Sequence, residues 1–300
     1  MEKTDAHAAQ AGPQRLKVIY IMGAARSGSS ILGVVLGNCA GTFFAGELFG
    51  YLENSGRGVG EREQSYWAAL RERLPAVPEV LRDGRTASAF YKSVALFKPS
   101  LRRIRTGPLR LTFREHEATF LRALARDAGA EVLIDSSSYP LRAKELTDVD
   151  GLDIRLIYVL RDPRSVVASF TGSEWKFYNS KRRTNAYLAM TASVAMGIFL
   201  SHPRERRLLV RYEDLVREPE AAVRRVLEMA GMDCAVPDLD ALAPGSPFGA
   251  NKLVFRANQT VSEGGPIAFR RSTSRPPRDV FTQILQAPFM AAARLLRPQT

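Results

Sequence analysis

Gly23-Ala-Ala-Arg-Ser-Gly28-Ser29-Ser30 puts two glycines, an arginine and three serines into eight residues. The glycine spacing is that of a phosphate-binding loop, GxxxxGK[ST], whose curled backbone turns its N–H groups onto an anion. A helix running from Ser29 adds its positive end to the same point. Ser29 stands where that motif carries lysine. The lysine normally reaches the β- and γ-phosphates, so its loss argues against triphosphate hydrolysis. Arg26, Ser29 and Ser30 remain as donors for a shorter anionic group, on a loop that also includes Ser27 and Gly28.

Such a loop works only if a strand delivers it. Lys17-Val-Ile-Tyr-Ile21 is a β-branched run before it, and Ser29 to Leu36 has apolar residues at helical spacing after it. Thr42 to Ala45 reads as a second strand, closed by Gly46-Glu47. Glu131 to Ile134 is a third, ending in Asp135-Ser-Ser-Ser138, with a helix from Tyr139 to Leu146. Ile154 to Leu160 is a fourth, ending in Arg161-Asp-Pro-Arg164; Pro163 suits the first turn of a helix through Phe170. Arg207 to Val210 is a fifth, and Pro219 to Ala230 is a helix stopped by Gly231. Glu115 to Asp127 is also helical in spacing. The alternation predicts an α/β fold, a P-loop-type parallel sheet of about five strands flanked by helices. Residues 52–115 lack that alternation and read as a helical and loop insertion that shapes an acceptor site. Residues 1–14 read as a flexible leader and 15–300 as one domain. In parallel sheets ligands sit at the carboxyl ends of the strands, and each unusual motif here follows a strand.

Composition narrows the class. The 300 residues are 45% hydrophobic and 25% charged, which excludes a disordered, collagen-like or coiled-coil chain. Two cysteines, Cys39 and Cys234, are too few for a disulfide framework or a zinc site, so a reducing cytoplasmic setting is expected, and no metal. No run reaches the roughly 20 apolar residues of a membrane span; Ala186 to Leu200 reads as a buried helix. The amphipathic Phe289 to Leu296 stretch reads as core or dimer packing. Net charge is +12, with 43 basic against 31 acidic residues, which suits an anionic ligand or a solvated basic surface. Arg102-Arg103-Ile-Arg105 and Lys181-Arg-Arg183 carry no aromatic interleaving, so nucleic acid is not expected as a partner.

Arg26-Ser-Gly-Ser-Ser30 after a strand resembles the 5′-phosphosulfate loop of sulfotransferases that use 3′-phosphoadenosine 5′-phosphosulfate, PAPS. Their second signature is a strand leading to an arginine with a serine eight residues on, both on the 3′-phosphate; Arg161 and Ser169 have that spacing. A charged fork and a hydroxyl can share one phosphate. The carbohydrate-type and related bacterial members share Gly46-Glu47, Asp135-Ser-Ser137 and Val210-Arg-Tyr-Glu-Asp-Leu215, so the resemblance covers most of residues 17–235. It departs at Ser138, where many bacterial relatives have lysine. Gly249-Ala-Asn251 and Arg256 resemble loosely, with one residue inserted, the segment that folds over the nucleotide.

The resemblance implies sulfuryl transfer from PAPS to a hydroxyl, leaving adenosine 3′,5′-bisphosphate, PAP, with no metal required. It implies Glu47 as the general base and Arg26 as the group that stabilises the departing phosphate. His7, His116 and His202 follow no strand and are read as structural or exposed, and Glu213 and Asp214 as helix capping and surface charge. A small-molecule or carbohydrate acceptor would lie between 52–115 and 171–200, where Tyr66, Trp67, Trp175, Phe177 and Tyr178 could stack on a ring or belong to the core. A P-loop kinase or nucleotide hydrolase remains the alternative, with Asp135 after Val132-Leu-Ile134 as its magnesium acid. A non-catalytic nucleotide or polyanion binder is the third reading, and the oligomeric state is unreadable.

Overall fold

The computed structural model describes residues 15–52, 61–171, 180–249, 268–269 and 276–296. Five strands, β1 (Leu16–Gly23), β2 (Thr42–Gly46), β3 (Val132–Ser138), β4 (Leu152–Leu160) and β5 (Arg207–Arg211), form one sheet in the order β2-β3-β1-β4-β5. Every pairing is parallel. β1 is central, with Tyr20 opposite Leu156 on one side and Asp135 on the other.

Period-two alternation divides the core. Ile19 and Ile21 of β1, Ile134 of β3 and Ile157 and Val159 of β4 point to one face. There they meet α1 (Ser29–Leu36) and α12 (Pro219–Ala230) through Leu32, Val35, Val223 and Val226. Val18, Tyr20, Met22, Leu133, Leu156 and Tyr158 point to the other face. They are covered by α7 (Leu109–Asp127), α8 (Pro140–Thr147) and α10 (Lys181–Ser201). With both faces buried, the strands read as near-continuous apolar runs.

Between β2 and α7 come α2 (Phe49–Leu52), α3 (Glu61–Arg71), α4 (Glu79–Arg82), α5 (Gly84–Tyr91) and α6 (Pro99–Thr106). α9 (Pro163–Thr171) follows β4, α11 (Tyr212–Arg217) follows β5, and α13 (Val280–Leu295) closes the described chain.

Some elements outrun their sequence signals. α7 starts at Leu109, not Glu115, because Arg110 and Arg114 of its first turns bond Glu145 of α8 and Asp148, a tertiary reason invisible to periodicity. β3 continues through Asp135-Ser-Ser-Ser138, with Met22 pairing Ser138 beyond a shift in the β1–β3 register. α13 begins nine residues before Phe289, where the Asp279 carboxylate accepts from the Thr282 N–H.

β1 sends its chain toward β2 at one edge, and β4 sends its chain toward β5 at the other. The carboxyl ends of β1 and β4 therefore flank an open crevice, the place where such sheets take ligands. The Gly23–Ser30 loop and Arg161 both leave the sheet there.

Candidate active site

Gly28 holds φ +98° and caps α1 from the left-handed region. A Cβ there would lie 2.5 Å from the Tyr212 ring, so glycine is required by conformation and by space. Arg26 also has positive φ, +69°, which is uncommon for a side-chain-bearing residue and marks a strained turn. The turn closes with Ser27 N–H donating to Ala24 O at 3.2 Å. Ser27, Ser29 and Ser30 are buried and Arg26 is half-buried.

Arg161 leaves β4 beside this loop. Its Nη1 donates to the Arg26 carbonyl at 2.8 Å, and its guanidinium lies 4.4 Å from the centre of the Tyr212 ring. Tyr212 thus wedges between Gly28 and Arg161 and sets both. Glu213 accepts from the Asp162 N–H at 2.7 Å, tying the ends of β4 and β5 together. Glu213 thus buttresses the crevice while its partly exposed side chain stays in the first turn of α11, facing Arg211 at 3.8 Å. Asp162 in turn holds Arg164 at 2.7 Å. Ser169 is half-buried in the second turn of α9.

Glu47 is reached through Gly46, whose φ is +81° and where an added Cβ would strike Phe248 O. That contact is a clamp: Phe248 N donates to Ala45 O at 2.9 Å, and Glu47 N donates to Phe248 O at 2.6 Å. Phe248 is anchored in turn by the Trp67 ring at 5.1 Å, and Trp67 Nε1 donates to Ser246 O at 2.8 Å. Trp67 is therefore a buried core residue and not an acceptor platform. Tyr66 packs against Phe43 at 6.3 Å.

Burial pushes the Glu47 carboxyl up to about 8; the Asp135 charge adds to this and Arg26 opposes it. Glu47 is therefore mostly protonated at neutral pH, in electrostatic contact with the loop arginine. Beneath it lies a fully buried ion cluster. Asp135 Oδ2 accepts from Arg142 Nη2 at 3.1 Å, and Glu117 Oε1 accepts from Arg142 Nη1 at 2.7 Å. Asp135 Oδ1 accepts from the Ser137 N–H at 2.8 Å and from the Ser137 hydroxyl. Burial raises the Asp135 carboxyl, with Arg142 and Ser137 opposing. Ser137 Oγ also accepts from Phe49 N at 3.2 Å, so Asp135 orients the segment that follows Glu47.

Ser138, at φ +66°, donates to Ser136 O at 3.1 Å and accepts from Ser29 Oγ at 3.4 Å, linking β3 to the glycine loop. No lysine is needed for that link. His116 is buried against Phe120, and His202 Nε2 faces Ile154 O at 2.9 Å. Asn251, Arg256, Trp175, Phe177 and Tyr178 lie outside the described residues. Gly249, however, lies beside Glu47: a Cβ added there would stand 3.5 Å from the Glu47 Cβ. Among the described residues no group of three His, Cys, Asp or Glu could hold a metal ion.

Sequence reasoning did not anticipate Tyr212 or Phe248. The Val210-Arg-Tyr-Glu-Asp stretch after a strand was the only signal for Tyr212, and nothing local marked Phe248.

Residues 18–237 match the Sulfotransferase family, and the chain belongs to that family. No curated protein matches its sequence. Sulfotransferase STF9 from Mycobacterium avium is similar at TM-score 0.53 and 14% identity, over 94% of this chain and 77% of that one. Sulfotransferase STF1 from Mycobacterium tuberculosis H37Rv is similar at TM-score 0.50 and 13% identity, over 93% and 78%. The sulfotransferase domain of the Synechococcus PCC 7002 olefin synthase gives 0.49 and 20%, over 93% and 96%. At these identities the two mycobacterial structures share the fold of this chain.

Proposed function

We propose that this sulfotransferase takes PAPS as donor and moves its sulfuryl group to a hydroxyl of a carbohydrate, glycolipid or secondary metabolite. The observation that carries the reading is the convergence of Arg161, Arg26 and the glycine loop at the β1–β4 crevice, with Glu47 beside Arg26. The donor set suits such a nucleotide: two guanidiniums, serine hydroxyls and the start of α1 offer only positive or neutral donors to a group of several negative charges. Arg161 and Ser169 would take the 3′-phosphate, and Arg26, Ser27, Gly28, Ser29 and Ser30 the 5′ end. Asn251 and Arg256 would cover the nucleotide.

In-line transfer leaves charge on the 5′-phosphate oxygen, where Arg26 and the loop N–H groups would stabilise it. The acceptor hydroxyl would give its proton to ionised Glu47, whose raised pKa makes it a stronger base than free glutamate. The phosphotransfer alternative loses its acid: Asp135 has no exposed surface and spends both oxygens on Ser137 and Arg142.

Calorimetric binding of PAP against 5′-ADP, each with and without magnesium, tests the donor class. A metal-independent preference of about a hundredfold for PAP is expected, since hydrogen bonds to a charged group are worth about 3 kcal/mol. Arg161→Ala should abolish most of that preference. Equal binding, or a magnesium-dependent preference for ADP, would remove the 3′-phosphate site and overturn the PAPS reading.

A further inference from the structure

Helix α13 buries polar side chains in its first two turns: Asn185 Nδ2 donates to Thr282 Oγ1 at 2.9 Å, and Gln286 Nε2 donates to Asn185 O at 3.0 Å, while further along Ala292 packs against the core. Thr282, Gln286 and Asn185 are all buried. Its outward face is apolar. Val280, Phe281, Ile284, Leu285 and Leu295 are exposed, Ile284 to 70% and Leu295 to 87%. No charged side chain occurs from Val280 to Ala292. A folded domain gains nothing by turning its leucines and isoleucines to water while sequestering its amides, so this face is built for an occupant.

Charge says which occupant. The apolar stretch is bracketed by exposed Arg278 and Arg294. Lys181 reaches Asp279 at 3.4 Å, which brings the start of α10, with exposed Arg182 and Arg183, to the same end. Asp279 itself is committed to the helix cap and to Lys181. A second copy would place this patch against itself, because a two-fold interface is self-complementary. Antiparallel helices would then set Arg278 against Arg294, and parallel ones Arg278 against Arg278, with no carboxylate on the outer face to answer them. An apolar helix face rimmed with arginines matches instead the boundary between acyl chains and anionic headgroups.

We infer that α13 docks this protein on a membrane surface of anionic lipid, its axis in the interface plane and its Val280–Ile284–Leu295 face in the acyl boundary. The placement bears on the site. α13 packs on α9, the helix that leaves the Arg161 end of β4, and Asp279 lies within electrostatic reach of Arg164. The crevice therefore sits at the edge of the docked face, whatever donor it takes.

Vesicle flotation tests this with the full chain and two lipid compositions, phosphatidylcholine alone and phosphatidylcholine mixed with phosphatidylglycerol. The protein should float with the mixed vesicles, be released by high salt, and stay behind with phosphatidylcholine alone. Ile284→Glu should lower partitioning at least about tenfold, the worth of one buried aliphatic side chain. Arg278→Ala should lower it about fivefold. Both positions are exposed, so urea midpoints should not move. Three results overturn the inference: no association with mixed vesicles; a dimer in sedimentation velocity that Ile284→Glu dissociates; or a urea midpoint that Ile284→Glu lowers sharply, which would mean the chain covers this face itself.

Discussion

Glu47→Gln should make the protein more stable and less active, and the two effects have one cause. Glu47 holds its proton more tightly folded, with a pKa of about 8, than unfolded, near 4.5. The folded state is therefore favoured at low pH and loses ground as pH rises from 4.5 through about 8. At about 1.4 kcal/mol per pH unit, ionising Glu47 costs about 5 kcal/mol once complete and about 3 kcal/mol at pH 7. Glutamine carries no charge and removes this penalty, less about 1 kcal/mol for fitting its amide. Urea unfolding of both proteins at pH 5, 7 and 8.5 measures the difference. The curves should nearly coincide at pH 5 and separate by several kcal/mol at pH 8.5, with the variant above. A difference that stays level across this range refutes the reasoning, because Glu47 would then titrate normally. Turnover gives the second arm. With Glu47 as the proposed base, the wild-type rate should climb roughly tenfold per pH unit up to about 8 and then level, because the proposed step needs it ionised. Glu47→Gln should lose about a hundredfold or more and lose that limb.

Gly46→Ala should cost about 2 kcal/mol and slow turnover, because positive φ and the Phe248 backbone both reject a Cβ; an unchanged urea midpoint would mean the clamp on Glu47 yields freely. Arg142→Met should cost about 3 to 5 kcal/mol, since it strands Asp135 and Glu117 as buried charges without their cation; a loss below about 1 kcal/mol would mean the acids are neutral in the fold. Cys39 is pushed up to about 12 by burial, with adjacent Cys234 adding to it. Iodoacetamide at pH 8 should therefore modify Cys39 only after unfolding, and peptide mass spectrometry showing rapid native labelling would contradict its burial.

Several features were readable in the residues because neighbours in sequence decide them. The run from Lys17 must be extended, Gly28 must end the loop and Leu32 to Leu36 must face a core, since chain stereochemistry and apolar spacing act over a few residues. The bounds of α1 and α12 coincide with their sequence signals for that reason. The role of Asp135 was open, because a strand-end aspartate reads the same whether it holds a metal or an arginine. Only its distance to Arg142, seven residues on and across a helix start, decides between them.

Residue types and their spacing alone mark a parallel α/β chain with an anion-binding loop after its first strand and an arginine after its fourth. They could not determine that Tyr212 wedges Arg161 against that loop, that Phe248 clamps Glu47, or that α13 turns its apolar face outward. Those depend on which strands become neighbours and which helix faces find a partner. The β2-β3-β1-β4-β5 order brings together residues separated by well over a hundred positions, such as Arg26 and Arg161 or Glu47 and Phe248. Burial then raises the Glu47 pKa, because a carboxylate taken from water is penalised by its surroundings, and those surroundings exist only in the assembled fold.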